Sequence, residues 1–572
     1  MKGGVVALID LAGGAVDPAD AVALGLSVSG PGLSFHFADE KKLGDSIAQD
    51  DRRSTILLGH IDDVARISCE LGIMAGIAPV QLARRALDRW SEEAAVRLPG
   101  EWMLLDWQPA SVTIMASAAR YVRTFYARHG NKIAVSPDIA SLARLSWIGS
   151  DLDDEGFLFA LGRATLRGRG MGRTMLRNVS KLRPGECIRF TPQGTSSTVG
   201  QPFVAVPRWE GSITQAVAKA ELLLQEVVGE RLARHGDVAC LLSGGLDSSL
   251  LTMLVADGLR PGQRAVCLTS AAPPGSGLAD ELEQARSVAA RLGLDLVPVV
   301  PGPVPGIYAP DAQEFLAANG PTLSVRHYLY RALAEQAAAC GVTGVFDGSY
   351  GEMTVTGLMP LASWDWRLRQ LARHLLGRGR TQPAPPFHVR LAPHRLQSLS
   401  PAIVAAAVAA PDHPLVRQRN QAWGYFPGVE KIMGPPAKMS GIVPIEFPFR
   451  DQRLLQRFAG FPAHFLMHDG MNRAPARMMM AGRLPEAIRL RTDTMAFSPD
   501  YMQRLQVEAP EARARIAAFR KAEIADWLDL DWLECSLGRF AGNGPRNIGD
   551  AFEVQLTAMA AEFLMWWRSD AR

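Results

Sequence analysis

Leu241-Leu-Ser-Gly-Gly-Leu-Asp-Ser-Ser249 decides how this chain is read. The apolar run Val238–Leu242 predicts a buried strand, and Ser248–Asp257 repeats apolar side chains at helical spacing. Between them, Ser-Gly-Gly lets the backbone turn sharply and approach a ligand closely. Unpaired amides at a helix N-terminus, backed by the helix dipole, attract anions. Ser243, Ser248 and Ser249 add hydroxyl donors, and Asp247 offers a carboxylate able to hold magnesium against a polyphosphate. The Gly-Lys-Ser/Thr ending of a Walker A loop is absent, so no lysine reaches the terminal phosphates. The loop therefore suits a pyrophosphate leaving group better than γ-phosphoryl transfer. That implies attack at the α-phosphorus of ATP and an acyl-adenylate.

Working outward, Ser212–Arg234 has helical periodicity before the first strand, and a second strand is predicted over Arg264–Ser270. This alternation is the βαβ signature of a parallel sheet covered by helices. Beyond Asp280 the pattern is mostly helical, with one more strand at Val342–Asp347. Upstream, Val5–Leu11, Leu33–Ala38, Thr55–Gly59, Trp102–Trp107, Ser111–Ala116 and Lys132–Ser136 are strand lengths with turn punctuation, and Val80–Leu98 is helical. Residues 1–205 thus read as an α+β unit with considerable strand content. Trp366–Arg380 carries Arg367, Arg369, Arg373, Arg378 and Arg380 on a helical segment. It reads as a solvated face or as a dock for an acidic partner or peptide. Thr381–Pro393 is a proline-rich connection.

At 572 residues the chain needs two or three domains. Hydrophobic content of 48%, charged content of 21% and a net charge of +3 are those of a soluble globular protein with no pull toward nucleic acid. Cys69, Cys187, Cys240, Cys267, Cys340 and Cys535 form no CxxC pair, so neither a disulfide framework nor a zinc site is expected, and a cytoplasmic location follows. Val5–Leu11 is too short and interrupted for a signal peptide, and Pro401–Pro411 falls short of the roughly 20 residues a membrane span needs.

Further motifs lie downstream. Ala279-Asp-Glu281 is followed by Ala285 and Val288, and Val345-Phe-Asp-Gly-Ser-Tyr-Gly-Glu352 reads as a strand and glycine turn. Phe447-Pro-Phe-Arg-Asp451 comes next, then Asp469-Gly-Met-Asn-Arg473, Arg477, Gly482, Leu484-Pro485 and Arg491. In this order and spacing they resemble the asparagine synthetase family of PP-loop ATP pyrophosphatases over nearly the whole length. The resemblance implies an α+β, Ntn-hydrolase-like (glutaminase-like) domain over 1–205. An α/β PP-loop synthetase domain, with a parallel sheet and a largely helical C-terminal part, would cover 206–572. It implies that Leu242, Ser243, Gly244, Gly245, Leu246, Asp247, Ser248 and Ser249 hold the ATP phosphates. Ser270 would lie near the adenosine and Gly348 near the α-phosphate. Asp247 and Glu352 would hold Mg2+, with Glu352 standing where the family has Asp.

Glutamine-using members carry a cysteine nucleophile after the initiator methionine. Here residue 2 is Lys2 and the first cysteine is Cys69, so the glutaminase-like domain is expected to be inactive and the amine to come from elsewhere. β-Lactam synthetases and lasso-peptide macrolactam cyclases share that layout, and in both an amine of the same molecule attacks the adenylated carboxylate. β-Lactam synthetases use a Tyr–Glu pair and a C-terminal lysine. Here Tyr350 sits one place late, with Ser349 at the family position. Glutamate is missing between Met353 and Pro411, and Arg491–Phe497 has no lysine. Arg491-Thr-Asp-Thr-Met-Ala-Phe-Ser-Pro-Asp-Tyr501 and His468–Arg473 look more like a lasso-peptide cyclase.

That resemblance implies a precursor peptide whose Asp or Glu side chain is adenylated and closed by its own N-terminal amine. A leader peptidase or leader-peptide-binding protein would be the partner. Arg473, Arg477 and Arg491 are the guanidinium candidates for developing charge, with Tyr350 beside them in the glycine turn. Asp365, Glu430 and Glu446 are the carboxylates to test as a base, and His468 reads as a turn residue. The competing readings are a small-molecule ligase of the asparagine or β-lactam kind and a non-catalytic scaffold in a biosynthetic complex.

Overall fold

The computed structural model describes residues 5–13, 19–20, 28–30, 33–37, 46–50, 52–74, 76–118, 123–162, 172–200, 206–304, 306–357, 387–401, 403, 438–439, 442–493 and 498–570. Lys2, Asp365, the arginine-rich segment 366–380, Glu430 and residues 494–497 lie outside them.

The first part of the chain is built from short, nearly continuous apolar runs, and it folds as two stacked sheets. The strands are β1 (Val5–Asp10), β2 (Val28–Gly30), β3 (Leu33–Phe37), β4 (Ile47–Asp50), β5 (Arg53–Ile61), β6 (Gly100–Gln108), β7 (Ser111–Ala116), β8 (Phe125–His129), β9 (Lys132–Ser136), β10 (Ser180–Lys181), β11 (Glu186–Thr191) and β12 (Gly194–Val199). One six-stranded sheet runs β10-β8-β9-β1-β3-β2 and the other β12-β11-β7-β6-β5-β4, with antiparallel pairing throughout. The period-two alternation gives each sheet two buried faces. Ala7, Ile9, Ile133 and Val135 face Met103, Leu105, Ile114 and Ile188 of the other sheet. The intervening Leu57, Leu104 and Met115 turn outward onto α1 (Val64–Leu71) and α2 (Pro79–Trp90). On the opposite side Leu8 and Ala134 meet α3 (Ile139–Ala143) and α4 (Asp154–Leu161). The result is four layers, helix–sheet–sheet–helix. The helical stretch expected over Val80–Leu98 is broken at Ser91, whose φ of 51° ends α2.

The second part opens with α5 (Ile213–Leu232), started by a reciprocal capping box between Ser212 and Gln215. Then follow β13 (Val238–Leu241), α6 (Leu246–Gly258), β14 (Ala265–Ser270), α7 (Leu282–Leu292), β15 (Asp295–Val299), α8 (His327–Ala339), β16 (Gly344–Asp347), β17 (Lys438–Met439) and β18 (Val443–Glu446). The sheet order is β15-β14-β13-β16-β18-β17, parallel except for the β17–β18 edge pair. Val238, Cys240 and Leu242 face α5, α6 and α7, while Ala239 and Leu241 face α8. The chain ends in helices that include α9 (Leu530–Asn543) and α10 (Ile548–Asp570). No helix among the described residues is long and apolar enough to cross a membrane. All six cysteines are free.

Among the strands beyond Asp280 that depart from the sequence expectation, β15 and β18 share a feature. Each carries a proline, Pro298 and Pro444, a residue that removes a ladder donor and masks the strand pattern. Both sit where the missing donor is tolerated, β15 at the sheet edge and β18 beside the two-residue edge strand β17.

Two contacts weld the parts together. One is apolar. The core beneath α3 and α4 continues without a break into α8, α9 and α10. Phe157 meets Trp527 edge-to-face at 4.8 Å, and Trp567 donates its indole N–H to the Ser150 carbonyl at 3.1 Å. The other is ionic. The Arg231 side chain of α5 is only 2% exposed and lies 2.9 Å from Glu446, 3.7 Å from Asp451, 3.8 Å from Glu101 and 4.0 Å from Asp62. Arg234 bonds Asp62, and His235 Nε2 lies 2.9 Å from Glu446. Burial alone would raise the Glu446 carboxyl, but the His235 hydrogen bond and the Arg231 and Arg234 charges outweigh it and hold it far below its ordinary range. Burial raises Glu101 despite Arg231. Glu446, expected as a base, is therefore a buried ion-pair partner that holds protons poorly.

Removing one member of such a cluster leaves uncompensated buried charge. Arg231→Ala should cost about 3–5 kcal/mol of stability, read by urea unfolding. A carboxyl with a lowered pKa is protonated first in the unfolded chain. The stability that Glu446 contributes is thus full above the ordinary value of 4.5 and declines as pH falls below it. Glu446→Gln should flatten that acid decline, whereas Glu101, shifted the other way, cannot produce it.

Candidate active site

From β13 the chain steps to β14 and β15 on one side, then returns to place β16 and β18 on the other. The carboxyl ends of β13 and β16 thus border the switch point of the sheet, where open α/β sheets leave a crevice for ligands. The Ser243–Ser249 loop follows β13, and the Gly348–Glu352 turn follows β16.

In the first loop, the Leu242 amide still pairs in the sheet, donating to the Leu268 carbonyl at 2.9 Å. The helix then begins at Leu246, two residues earlier than its apolar spacing predicts, because Gly245 serves as the cap. Gly244 has φ +72°, and a Cβ there would stand 2.5 Å from the Gln284 Cβ. Only glycine fits both the left-handed backbone and the contact with α7. Ser248 Oγ accepts from the Ser243 amide at 3.2 Å and donates to the Gly245 carbonyl at 3.2 Å. Ser243 Oγ accepts from the Gly245 amide at 3.3 Å. These bonds run within the loop, so its amides and hydroxyls are gathered on one turn where an anion can replace them. Two further hydroxyls, Ser249 Oγ and Ser270 Oγ, are buried without a hydrogen-bond partner. Such orphans cost about 1–3 kcal/mol each, a cost that a polar ligand can relieve.

The second turn closes on the first. A Cβ at Gly348 would lie 2.8 Å from the Ser248 amide nitrogen, and one at Gly351 would fall 1.8 Å from Asp247 Oδ1. The Asp247 carboxylate is thus held against the backbone next to Glu352, which is exposed. Thr356 Oγ1 donates to Asp247 Oδ1. Two carboxylates on neighbouring strand-end turns fit an oxygen-preferring cation that completes its shell with phosphate oxygens and water. Elsewhere, Asp63, Glu226 and Glu230 also converge, but Arg453 bridges Glu226 and Glu230.

The three arginines part company. Arg491 reaches the loop: its Nη1 lies 3.4 Å from the Gly244 carbonyl, its Nη2 2.6 Å from Glu281, and its Nε 2.9 Å from Asp493. Arg477 is buried and commits its guanidinium to backbone, donating to the carbonyls of Asn472 at 2.8 Å, Arg491 at 2.8 Å and Arg489. Burial, then the nearby Arg473 and Arg489 charges, lower its pKa. Through those bonds Arg477, expected at the reacting charge, braces the segment that carries Arg491. Arg473 caps the helix Ala474–Met480 with a left-handed φ of 64°. Tyr350, expected beside them, is buried in the turn. It is 4% exposed, packs edge-to-face on Phe447 at 5.5 Å and lies 5.4 Å under the Arg450 guanidinium, a core position beneath the turn. His468 stands in the hairpin of Met467–His468 and Met471–Asn472. Thr356, Glu281 and Gln284 escaped the sequence reading as site residues, since only the fold brings them to the loop.

A family model described as asparagine synthase matches residues 219–430 and 433–567. Asparagine synthetase 3 (glutamine-hydrolyzing) of Bacillus subtilis (strain 168) is 25% identical over 172 residues, which cover 29% of this chain and 27% of that protein. Amidase chry2 of Gibberella zeae is 28% identical over 223 residues, covering 35% of this chain and 31% of that protein. The chain thus spans less than a third of the length of either curated relative. Among solved structures, glutamine phosphoribosylpyrophosphate amidotransferase from B. subtilis, complexed with ADP and GMP, aligns over 61% of this chain and 82% of its own. The TM-score is 0.25 and the identity 10%, a likeness too slight to carry an inference. The family model, by contrast, covers well over half of the 572 residues and includes the loop, the second turn and the Arg491 segment. The chain belongs to the asparagine synthase family.

Proposed function

We propose that this protein is an ATP-dependent carbon–nitrogen ligase that adenylates a carboxylate, releases pyrophosphate and passes the acyl group to an amine with loss of AMP. The observation that carries the reading is the Ser243–Ser249 loop at the sheet's switch point. It gathers amides and serine hydroxyls on a helix N-terminus, has no Walker lysine, contains Asp247 and has Arg491 on its flank. A carboxylate oxygen of the substrate attacks the α-phosphorus, and the bond to the pyrophosphate oxygen breaks. The amine then attacks the acyl carbon, a proton leaves the nitrogen, and AMP departs. Leu242–Ser249 would seat the phosphates, Ser270 the adenosine and Gly348 the α-phosphate. Asp247 and Glu352 would hold Mg2+, which neutralises phosphate charge when bound. Arg491 is placed to meet the developing charge, with Arg473 nearby in the chain.

In the finer reading the substrate is a precursor peptide, and the protein closes a lasso-type macrolactam in the cytoplasm together with a leader peptidase or leader-binding partner. Its supports are the resemblance of the 468–473 and 491–501 segments. The four-layer sandwich stands where the family places a glutaminase-like domain, which we read as inactive. Presenting both ends of one molecule makes the attack intramolecular, an advantage of about 7–11 kcal/mol when well oriented.

Incubation with ATP and the candidate precursor should yield AMP, pyrophosphate and a peptide lighter by one water, read by mass spectrometry. Pyrophosphate release with a free amino acid and no peptide would instead indicate a small-molecule ligase. Asp247→Ala should lower ATP–pyrophosphate exchange by about 100-fold or more, while a scaffold would be indifferent. Gly244→Ala combines the left-handed penalty of about 1–2 kcal/mol with the contact on Gln284. It should abolish ATP binding measured by calorimetry while the circular dichroism spectrum stays native.

A further inference from the structure

Gln284 occupies the third position of α7 and faces Gly244 closely enough that the glycine has no room for a Cβ. Its carboxamide Oε1 is buried and has no hydrogen-bond partner, like Ser249 Oγ and Ser270 Oγ around the same loop. An amide buried unsatisfied is costly, and rotating it by half a turn offers its NH2 in the same place. The surroundings say what it could bind. The first turn of α7 presents the positive end of a helix dipole, and Arg491 spans from Glu281, the residue before this helix, to the Gly244 carbonyl. On the Gly244 side, the helix N-terminus and Arg491, itself held by Glu281 and Asp493, are the donors that face the loop. The other side, where Gly348 packs on Ser248 and Gly351 on Asp247, is the carboxylate side. With the α-phosphate read near Gly348 on the carboxylate side, the outer phosphates of a triphosphate lying across the loop would fall on the Gly244 side, beside Gln284.

We infer that Gln284 is a further nucleotide-binding residue, one that donates its carboxamide to an oxygen of the β- or γ-phosphate. This rests on the reading that the loop binds ATP. Glu281 serves beside it as a positioning residue, holding the Arg491 guanidinium over Gly244 from the start of the same helix.

The test is calorimetric titration of the full-length protein with Mg·ATP and, separately, with AMP, which lacks both outer phosphates. A hydrogen bond to a charged group contributes about 1.5–3 kcal/mol, or roughly 10- to 100-fold in affinity. Gln284→Ala should weaken ATP binding by about that factor, and the isosteric Gln284→Glu should weaken it further through repulsion. AMP affinity should stay at the wild-type value in both variants. Equal losses for ATP and AMP would assign Gln284 a packing role against Gly244 and overturn the inference, as would unchanged ATP affinity in both variants. Failure of the unmodified protein to bind ATP would defeat the reading of the loop itself, a result distinct from either.

Discussion

Between β13 and α6 the backbone passes through a left-handed turn at Gly244, pressed against the first turn of α7. That contact fixes how near two helix N-termini can come to each other, and a single methyl group would part them. From it follow the direction of the loop amides, the reach of Arg491 to the Gly244 carbonyl and the seat of Gln284. On the far side the same loop has no more room: the turn after β16 lies against Ser248 and Asp247 at distances that exclude any side chain at Gly348 or Gly351. The chemistry proposed for the site is thus a matter of spacing between main chains before it is a matter of side chains.

The loop and its two flanking elements were legible because they depend on neighbours in sequence. Strand, glycine turn and helix start lie within a dozen residues, and their local rules agree. What the sequence could not supply was which distant groups would be spent on one another. Arg477 and Arg491 look alike on paper, yet one is consumed by three carbonyls and the other faces the loop. Tyr350 follows a glycine–serine pair that reads as an exposed turn, but its left-handed backbone drives the ring into the core. Glu446 was a plausible base until α5 placed Arg231 beside it. The prolines of β15 and β18 hid two strands for a related reason: a sheet edge, or the strand beside a two-residue edge strand, tolerates a missing donor, and topology decides which strands lie there.

The ionic cluster around Arg231 does more than join two parts. Glu446 lies in register with Phe346, one residue from the carboxyl end of β16, and Phe447 carries Tyr350 on its ring. Charges contributed by the four-layer sandwich, Asp62 and Glu101, are therefore linked through one strand to the turn that abuts Asp247. A sandwich that supplies no amine would still be needed to keep that strand in place.

The apolar weld has a consequence for how the molecule is made. Helices α3 and α4 pack beneath α10, and the bond from Trp567 to Ser150 joins residues 417 apart. During synthesis the sandwich emerges early, with its outer helices still lacking the surface that will cover them. Contacts of such long range close late and leave apolar surface open to aggregation meanwhile. The nascent chain must carry that unfinished face until α10 clears the ribosome, so loss of α10 would strike the fold of the sandwich, far from the codon that was lost.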